Sequence, residues 1–208
     1  MTRGGIKVGL DFDNTLIRYD GLFHILAIEQ KLISPELKAD KTVIRDHLRA
    51  KGRDADFTLL QGEVYGSRIR GAEAAPGMLS ALIGLQALGV ELVIVSHKTA
   101  TPFKGPAYDL HAAARDWLTL QGFFSPEGLG WSQEQVFFEP TKERKAQRII
   151  DLGCTHYVDD LPEILAMLPE TIKRILYAPT AASDWGGGPV MKTWEELGAL
   201  VTPSQPGQ

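Results

Sequence analysis

Residues 6–16 constrain this chain more than any other stretch, because an apolar lead of Ile6, Val8 and Leu10 runs directly into Asp11-Phe12-Asp13-Asn14-Thr15. The lead is short, β-compatible and bounded by glycine, which predicts a buried strand that delivers two carboxylates and a hydroxyl to a loop. Residues two apart on an extended chain share a face, so Asp11 and Asp13 point one way while Phe12 enters the core. Two carboxylates held side by side repel each other and lose hydration, a cost that a cation or a proton relieves. Such a pair invites a hard, oxygen-seeking metal.

After Thr15 the pattern turns helical until Pro76. Leu22, Phe23, Ile25, Leu26 and Ile28 predict a first amphipathic helix. Ser34-Pro35-Glu36 reads as a helix cap with proline in the first turn, and residues 38–51 as a charged, exposed helix striped by Val43, Ile44 and Leu48. Residues 56–70 predict another. His24 and His47 are read as packing or surface groups, and Gln61, Tyr65, Arg68 and Arg70 equally as ligand-facing or solvated. The expectation is a small helical insertion at 17–75, carried by one core domain made of 1–16 and 76–208.

Ala75-Pro76-Gly77 opens an alternating pattern. A helix over 78–88 stops at Gly89, and a strand over 91–95 delivers Ser96, His97, Lys98 and Thr99 to a loop. A helix over 109–120 follows, then a strand over 136–138 ending at Glu139-Pro140. Thr141 caps a helix over 142–152 that holds Lys142 and Lys145 in its first turns. A strand over 155–158 ends in Asp159-Asp160, Pro162 opens a further helix, and 172–177 forms a fifth strand. Residues 185–189 read as loop, 194–200 as a last helix, and the Pro/Gln/Gly tail as frayed. Residues 78–96 resemble a membrane span at first sight, but Gln86, Gly89 and Glu91 divide them into helix, stop and strand. Strands alternating with helices at this spacing imply an α/β fold, a mostly parallel sheet with helices on both faces.

With 208 residues, 44% of them apolar, the chain can fill one core and carry an insertion. A formal net charge of −4 and no long basic run argue against nucleic acid as a partner. Cys154 is the only cysteine, so neither an intramolecular disulfide nor a thiolate metal cage can form, which fits a reducing compartment. Met1 to Gly5 lead at once into a strand and show no secretory signal, so a soluble, cytoplasmic protein with no membrane partner is expected.

Ligands of such sheets gather beyond the carboxyl ends of the strands, near a switch in strand order. Four strand or strand-loop ends carry polar groups here: Asp11, Asp13 and Thr15; Ser96; Lys142 or Lys145; and Asp159 with Asp160. In that order they resemble the four motifs of the haloacid dehalogenase (HAD) superfamily, and the helical segment at 17–75 stands where many members insert a cap. The resemblance spans the core and implies a three-layer Rossmann-like fold.

It further implies a Mg²⁺-dependent phosphohydrolase acting on a small phosphorylated metabolite. Asp11 would attack phosphorus and form an aspartyl-phosphate, splitting one hard step into two easier ones. Asp13 would protonate the leaving oxygen and later activate water. Asp11, the Asp13 backbone carbonyl, Asp159 and Asp160 would hold Mg²⁺, with the order of Asp159 and Asp160 as ligands left open. Thr15 and Ser96 would donate to phosphoryl oxygens, and either Lys145 or Lys142 would add positive charge, Lys145 being favoured by its spacing to the aspartate pair. His97, Lys98 and Lys104 lie near the mouth as candidate substrate contacts. Dehalogenation is disfavoured by Asp13, because a halide leaves without a proton. A phosphotransferase or phosphomutase using the same intermediate, and a non-catalytic binding protein on the same fold, are the alternatives.

Overall fold

The computed structural model describes residues 5–180 and 185–202. The readings made of the first four residues and of the Pro/Gln/Gly tail lie outside the described residues. The chain opens with β1 (Lys7–Leu10) and β2 (Ile17–Arg18), then three helices, α1 (Asp20–Glu29), α2 (Lys41–Ala50) and α3 (Asp54–Tyr65). After β3 (Glu73–Ala74) it alternates through α4 (Met78–Ala87), β4 (Glu91–His97), α5 (Leu110–Leu120) and β5 (Val136–Glu139). It continues through α6 (Lys142–Asp151), β6 (His156–Asp159), α7 (Pro162–Ala166), β7 (Lys173–Tyr177), β8 (Val190–Met191) and α8 (Leu197–Val201).

Six strands form one parallel sheet in the order β5-β4-β1-β6-β7-β8. The chain walks outward from β1 on one side, then crosses back to place β6 on the other. β1 is therefore where the strand order reverses, and a crevice opens beyond its carboxyl end. Alternation along each strand feeds two cores. Val8, Leu10, Leu92, Ile94, Val158 and Ile175 face the core built with α4, α5 and α8. Val93, Val95, Tyr157 and Leu176 face Ala146 and Ile149 of α6 and Ile164 and Leu165 of α7. The result is the three-layer α/β architecture that the alternation implied.

Gly9 is fixed by close packing. A methyl group there would come within 2.7 Å of Tyr157 Cδ2 and 3.1 Å of Cys154 Sγ. The bare backbone lets the Tyr157 ring lie across β1, where its hydroxyl donates to the Val95 carbonyl of β4.

β2 and β3 pair antiparallel, Ile17 opposite Ala74, and the helices α1 to α3 lie between them along the chain. Phe23 stacks on Phe57 at 5.7 Å between α1 and α3, and Ile44 and Leu48 of α2 are fully buried. Three local expectations are corrected. No helix begins at Ser34-Pro35; α2 starts at Lys41, where Asp40 accepts from the backbone N–H of Thr42 and Val43 and does the capping. The helix expected over 56–70 ends at Tyr65 and gives way to a 3-10 turn at Ile69–Gly71. The segment beyond the glycine-rich loop adds β8 to the edge of the sheet, and residues 194–200 start as a 3-10 turn before α8. Among the described residues no helix is long and apolar enough to cross a membrane.

Candidate active site

Asp11 follows β1 and is locked to β6 by its backbone N–H, which donates to the Val158 carbonyl at 2.9 Å. Its neighbour Phe12 turns into the core and meets Trp117 edge to face at 5.5 Å. Asn14 takes a left-handed backbone, φ 58°, a conformation asparagine tolerates better than most residues. That turn carries fully buried Thr15 back to Asp11, its hydroxyl 3.4 Å from Oδ2. Ser96 of β4 donates to Asp11 Oδ1 at 2.8 Å.

Lys145 comes from the first turn of α6, which Thr141 caps by accepting from the Arg144 N–H. Its ammonium lies 2.6 Å from Asp11 Oδ1 and 2.6 Å from Asp159 Oδ2, and the residue is only 2% exposed. The Tyr157 ring backs it at 5.6 Å. Burial works against its charge, but the two carboxylates overcome this and hold its proton more tightly than usual. Lys142 is placed elsewhere: its ammonium pairs with Glu163 at 2.5 Å on the surface.

The carboxylate oxygens of Asp11, Asp159 and Asp160 lie within 4.8 Å of one another. Asp159 is also fixed by the Leu161 N–H, which donates to its Oδ1 at 2.8 Å. Burial, then the Asp11 charge, push the Asp159 carboxyl up to about 7 against the pull of Lys145. Burial, then Asp11 and Asp159, push Asp160 up to about 8. One ammonium among three carboxylates leaves the group short of positive charge. An all-oxygen donor set of this kind suits a hard divalent cation such as Mg²⁺.

Asp13 belongs to a second hydrogen-bonded group. Lys98 donates to both of its oxygens, at 2.9 and 3.0 Å, and the Tyr19 hydroxyl donates to Oδ1 at 2.6 Å. Burial, then the Asp13 charge, hold the Tyr19 phenol firmly protonated, so it can only donate to this carboxylate. Lys98 is 4% exposed and is held at its backbone by the Glu139 carbonyl and by His111, whose Nε2 bonds the Lys98 carbonyl. Its ammonium lies 4.9 Å from the Tyr65 ring, which brings α3 to this corner of the sheet.

The structure thus brings together Asp11, Thr15, Ser96, Lys145, Asp159 and Asp160, with Asp13 alongside. His97 faces away, its Nε2 on the Pro140 carbonyl at 3.1 Å, and Lys104 is exposed. Arg68 and Arg70 pair with Glu29 and Asp116. Sequence reasoning gave no role to Tyr19 or Lys41, and it read Lys98 as a candidate substrate contact where the structure pairs it with Asp13. Lys98 was within reach: it stands two residues after Ser96, so an extended chain puts both on one face.

No protein-family model and no curated protein matches the chain in sequence. Solved structures match its fold. A HAD family hydrolase from Deinococcus radiodurans R1, with bound phosphate and sodium, superposes with a TM-score of 0.62 at 16% identity over 94% of each chain. A HAD-superfamily hydrolase of subfamily IA from Geobacter sulfurreducens PCA gives 0.54 at 16% identity, covering 97% of this chain and 99% of its own. A dehalogenase gives 0.56 at 11% identity over 96% of this chain and 98% of that one. The chain has the HAD-like fold.

Proposed function

We propose that this chain is a Mg²⁺-dependent phosphoric monoester hydrolase that cleaves a small phosphorylated metabolite through an aspartyl-phosphate on Asp11. The observation that carries the reading is the convergence on one carboxylate: Ser96, Thr15 and Lys145 all reach Asp11, and Asp159 and Asp160 stand within 4.8 Å of it. The bound phosphate of the Deinococcus radiodurans protein supports the same choice of ligand.

In this reading the less engaged oxygen of Asp11, Oδ2, forms the bond to phosphorus while the bond from phosphorus to the ester oxygen breaks. Asp13, held as a carboxylate by Lys98 and Tyr19, would first take up the proton that a monoester bound as its monoanion brings, and then give it to the departing oxygen. It then takes a proton from the water that attacks phosphorus, which frees inorganic phosphate and regenerates Asp11. Thr15, Ser96 and Lys145 meet the phosphoryl oxygens, and Lys145 is already oriented and desolvated, so its charge acts at full strength. Asp11, Asp159, Asp160 and the Asp13 carbonyl would hold Mg²⁺, which supplies charge relief between two anions. A second carboxylate with a proton to give is what a phosphate ester needs and a departing halide does not, which separates this reading from dehalogenation.

Residues 17–75 act in this proposal as a cap that restricts access and excludes water. The substrate is a small molecule, and neither nucleic acid nor a membrane takes part; the setting is cytoplasmic. The test is phosphate release with Mg²⁺ across sugar, nucleotide, lipid-headgroup and amino-acid monophosphates, with Asp11→Asn as control. Release from at least one class that vanishes in the variant supports the reading, and release that survives in it rules the reading out.

A further inference from the structure

A cavity of about 810 Å³ adjoins the acidic group between the insertion and the sheet, lined in part by Asn14, Tyr19, Lys41, Arg45, Asp160 and Tyr177. That volume is the size of a small-molecule site. Ser96, Thr15 and Lys145, the partners proposed for the transferring phosphoryl group, do not line it. The cavity is therefore placed for the other end of a substrate.

Lys41, the first residue of α2, projects into this space. Its ammonium donates to the Tyr65 hydroxyl at 2.6 Å and lies 5.3 Å from that ring and 5.7 Å from the Phe23 ring. Among the described residues it makes no ion pair with a carboxylate, whereas Arg18 and Arg45 on the same wall are matched by Glu73 and Asp46. An ammonium has three protons to donate, and this one has a single neutral acceptor. Burial opposes its charge, yet Tyr65, Asp13 and Asp160 outweigh burial and keep it protonated. Asp13 and Asp160 offset its charge from beyond ion-pair distance, and among the described residues two of its ammonium protons have no acceptor, which an arriving anion would supply.

We propose that Lys41 and this cavity form a subsite for a second anionic group on the substrate, a carboxylate or second phosphate carried by the leaving portion of a phosphate monoester. The subsite rests on the phosphatase reading for its first anion only. Non-hydrolysable probes separate the two claims, because they report binding without turnover. Ethylphosphonate, 2-carboxyethylphosphonate and ethane-1,2-bisphosphonate are titrated calorimetrically, with Mg²⁺ present, into the wild type, Lys41→Met and Lys41→Arg.

The wild type is expected to bind at least one doubly anionic probe about tenfold tighter than ethylphosphonate, the contribution of one charge-assisted hydrogen bond. The tighter of the two identifies carboxylate or phosphate. Lys41→Met reduces the preference to about twofold or less, and Lys41→Arg retains most of it, which excludes misfolding as the cause. A wild type without preference overturns the proposal. So does a preference that survives in Lys41→Met, or an equal loss for ethylphosphonate, which would assign Lys41 to the transferring group. A Lys41-dependent preference in a protein that releases phosphate from no monoester keeps the subsite and removes the phosphatase reading.

Discussion

Lys98 holds Asp13 by both carboxylate oxygens, at 2.9 and 3.0 Å. A side chain gripped this way has lost its freedom to rotate, so the carboxyl proposed to hand over a proton is aimed before substrate arrives. Lys98→Met is expected to lower kcat about 10- to 100-fold, part of the range for a positioned acid-base group, with a smaller change in KM. Lys98→Arg restores part of the loss. Steady-state kinetics check this, and a Lys98→Met enzyme with unchanged kcat would contradict it.

The two lysines of α6 separate cleanly. Lys145 touches Asp11 and Asp159, while Lys142 pairs with Glu163 at the surface. Lys145→Met is expected to reduce phosphate release about 100-fold or more, the scale for removing one group that stabilises developing charge. Lys142→Met changes it by about threefold or less, as exposed ion pairs contribute little. Equal losses in the two variants would refute this division.

Gly9→Ala tests how the site is backed. The added methyl meets Tyr157 Cδ2 at 2.7 Å, and Tyr157 in turn backs Lys145. Overpacking of this kind costs about 1–3 kcal/mol. Denaturant unfolding should show that loss together with weakened phosphate release, and a variant as stable and active as the wild type would show that the ring is free to move aside.

Asp159 and Asp160 make stability and metal binding depend on pH. Their folded-state values of about 7 and 8 stand above the ordinary aspartate value, so between roughly pH 4 and 8 the folded chain binds more protons than the unfolded one. Stability of the metal-free protein therefore falls as pH rises through this window. In the proposed site Mg²⁺ would bind the deprotonated carboxylates, so its affinity is expected to rise over the same range, with protons released on binding. Thermal melts at about pH 6 and pH 9 check both signs, with Tm falling with pH in chelator and Mg²⁺ raising it more at the higher pH. A Mg²⁺ effect larger at pH 6 would contradict the assignment.

Much of this was legible in the chain itself, for a physical reason. Asp11, Ser96 and Asp159 each end an apolar strand of one parallel sheet, and such ends converge wherever the strand order reverses. Spacing favoured Lys145 over Lys142 without deciding between them, because the face of α6 that meets Asp11 is settled by how Ala146 and Ile149 pack with Val95 and Tyr157. Ser34-Pro35 carried a strong cap signal that Asp40 took over, since only Asp40 is followed by the turn that α2 needs to pack Ile44 and Leu48. Tyr19 on Asp13, and Lys41 on Tyr65, depend on how three helices stack over the sheet. No local spacing encodes those contacts, and β8 is too short to leave a periodic trace.

The most direct test of the account is whether the Asp11 carboxylate becomes phosphorylated during turnover. The protein is mixed with its best monoester and Mg²⁺, quenched in acid within one turnover, and its peptides are weighed. The expected result is one phosphoryl group on the peptide carrying Asp11, absent when Asp11→Asn is treated alike. Turnover with no adduct on that peptide, or an adduct on any other residue, would contradict the account.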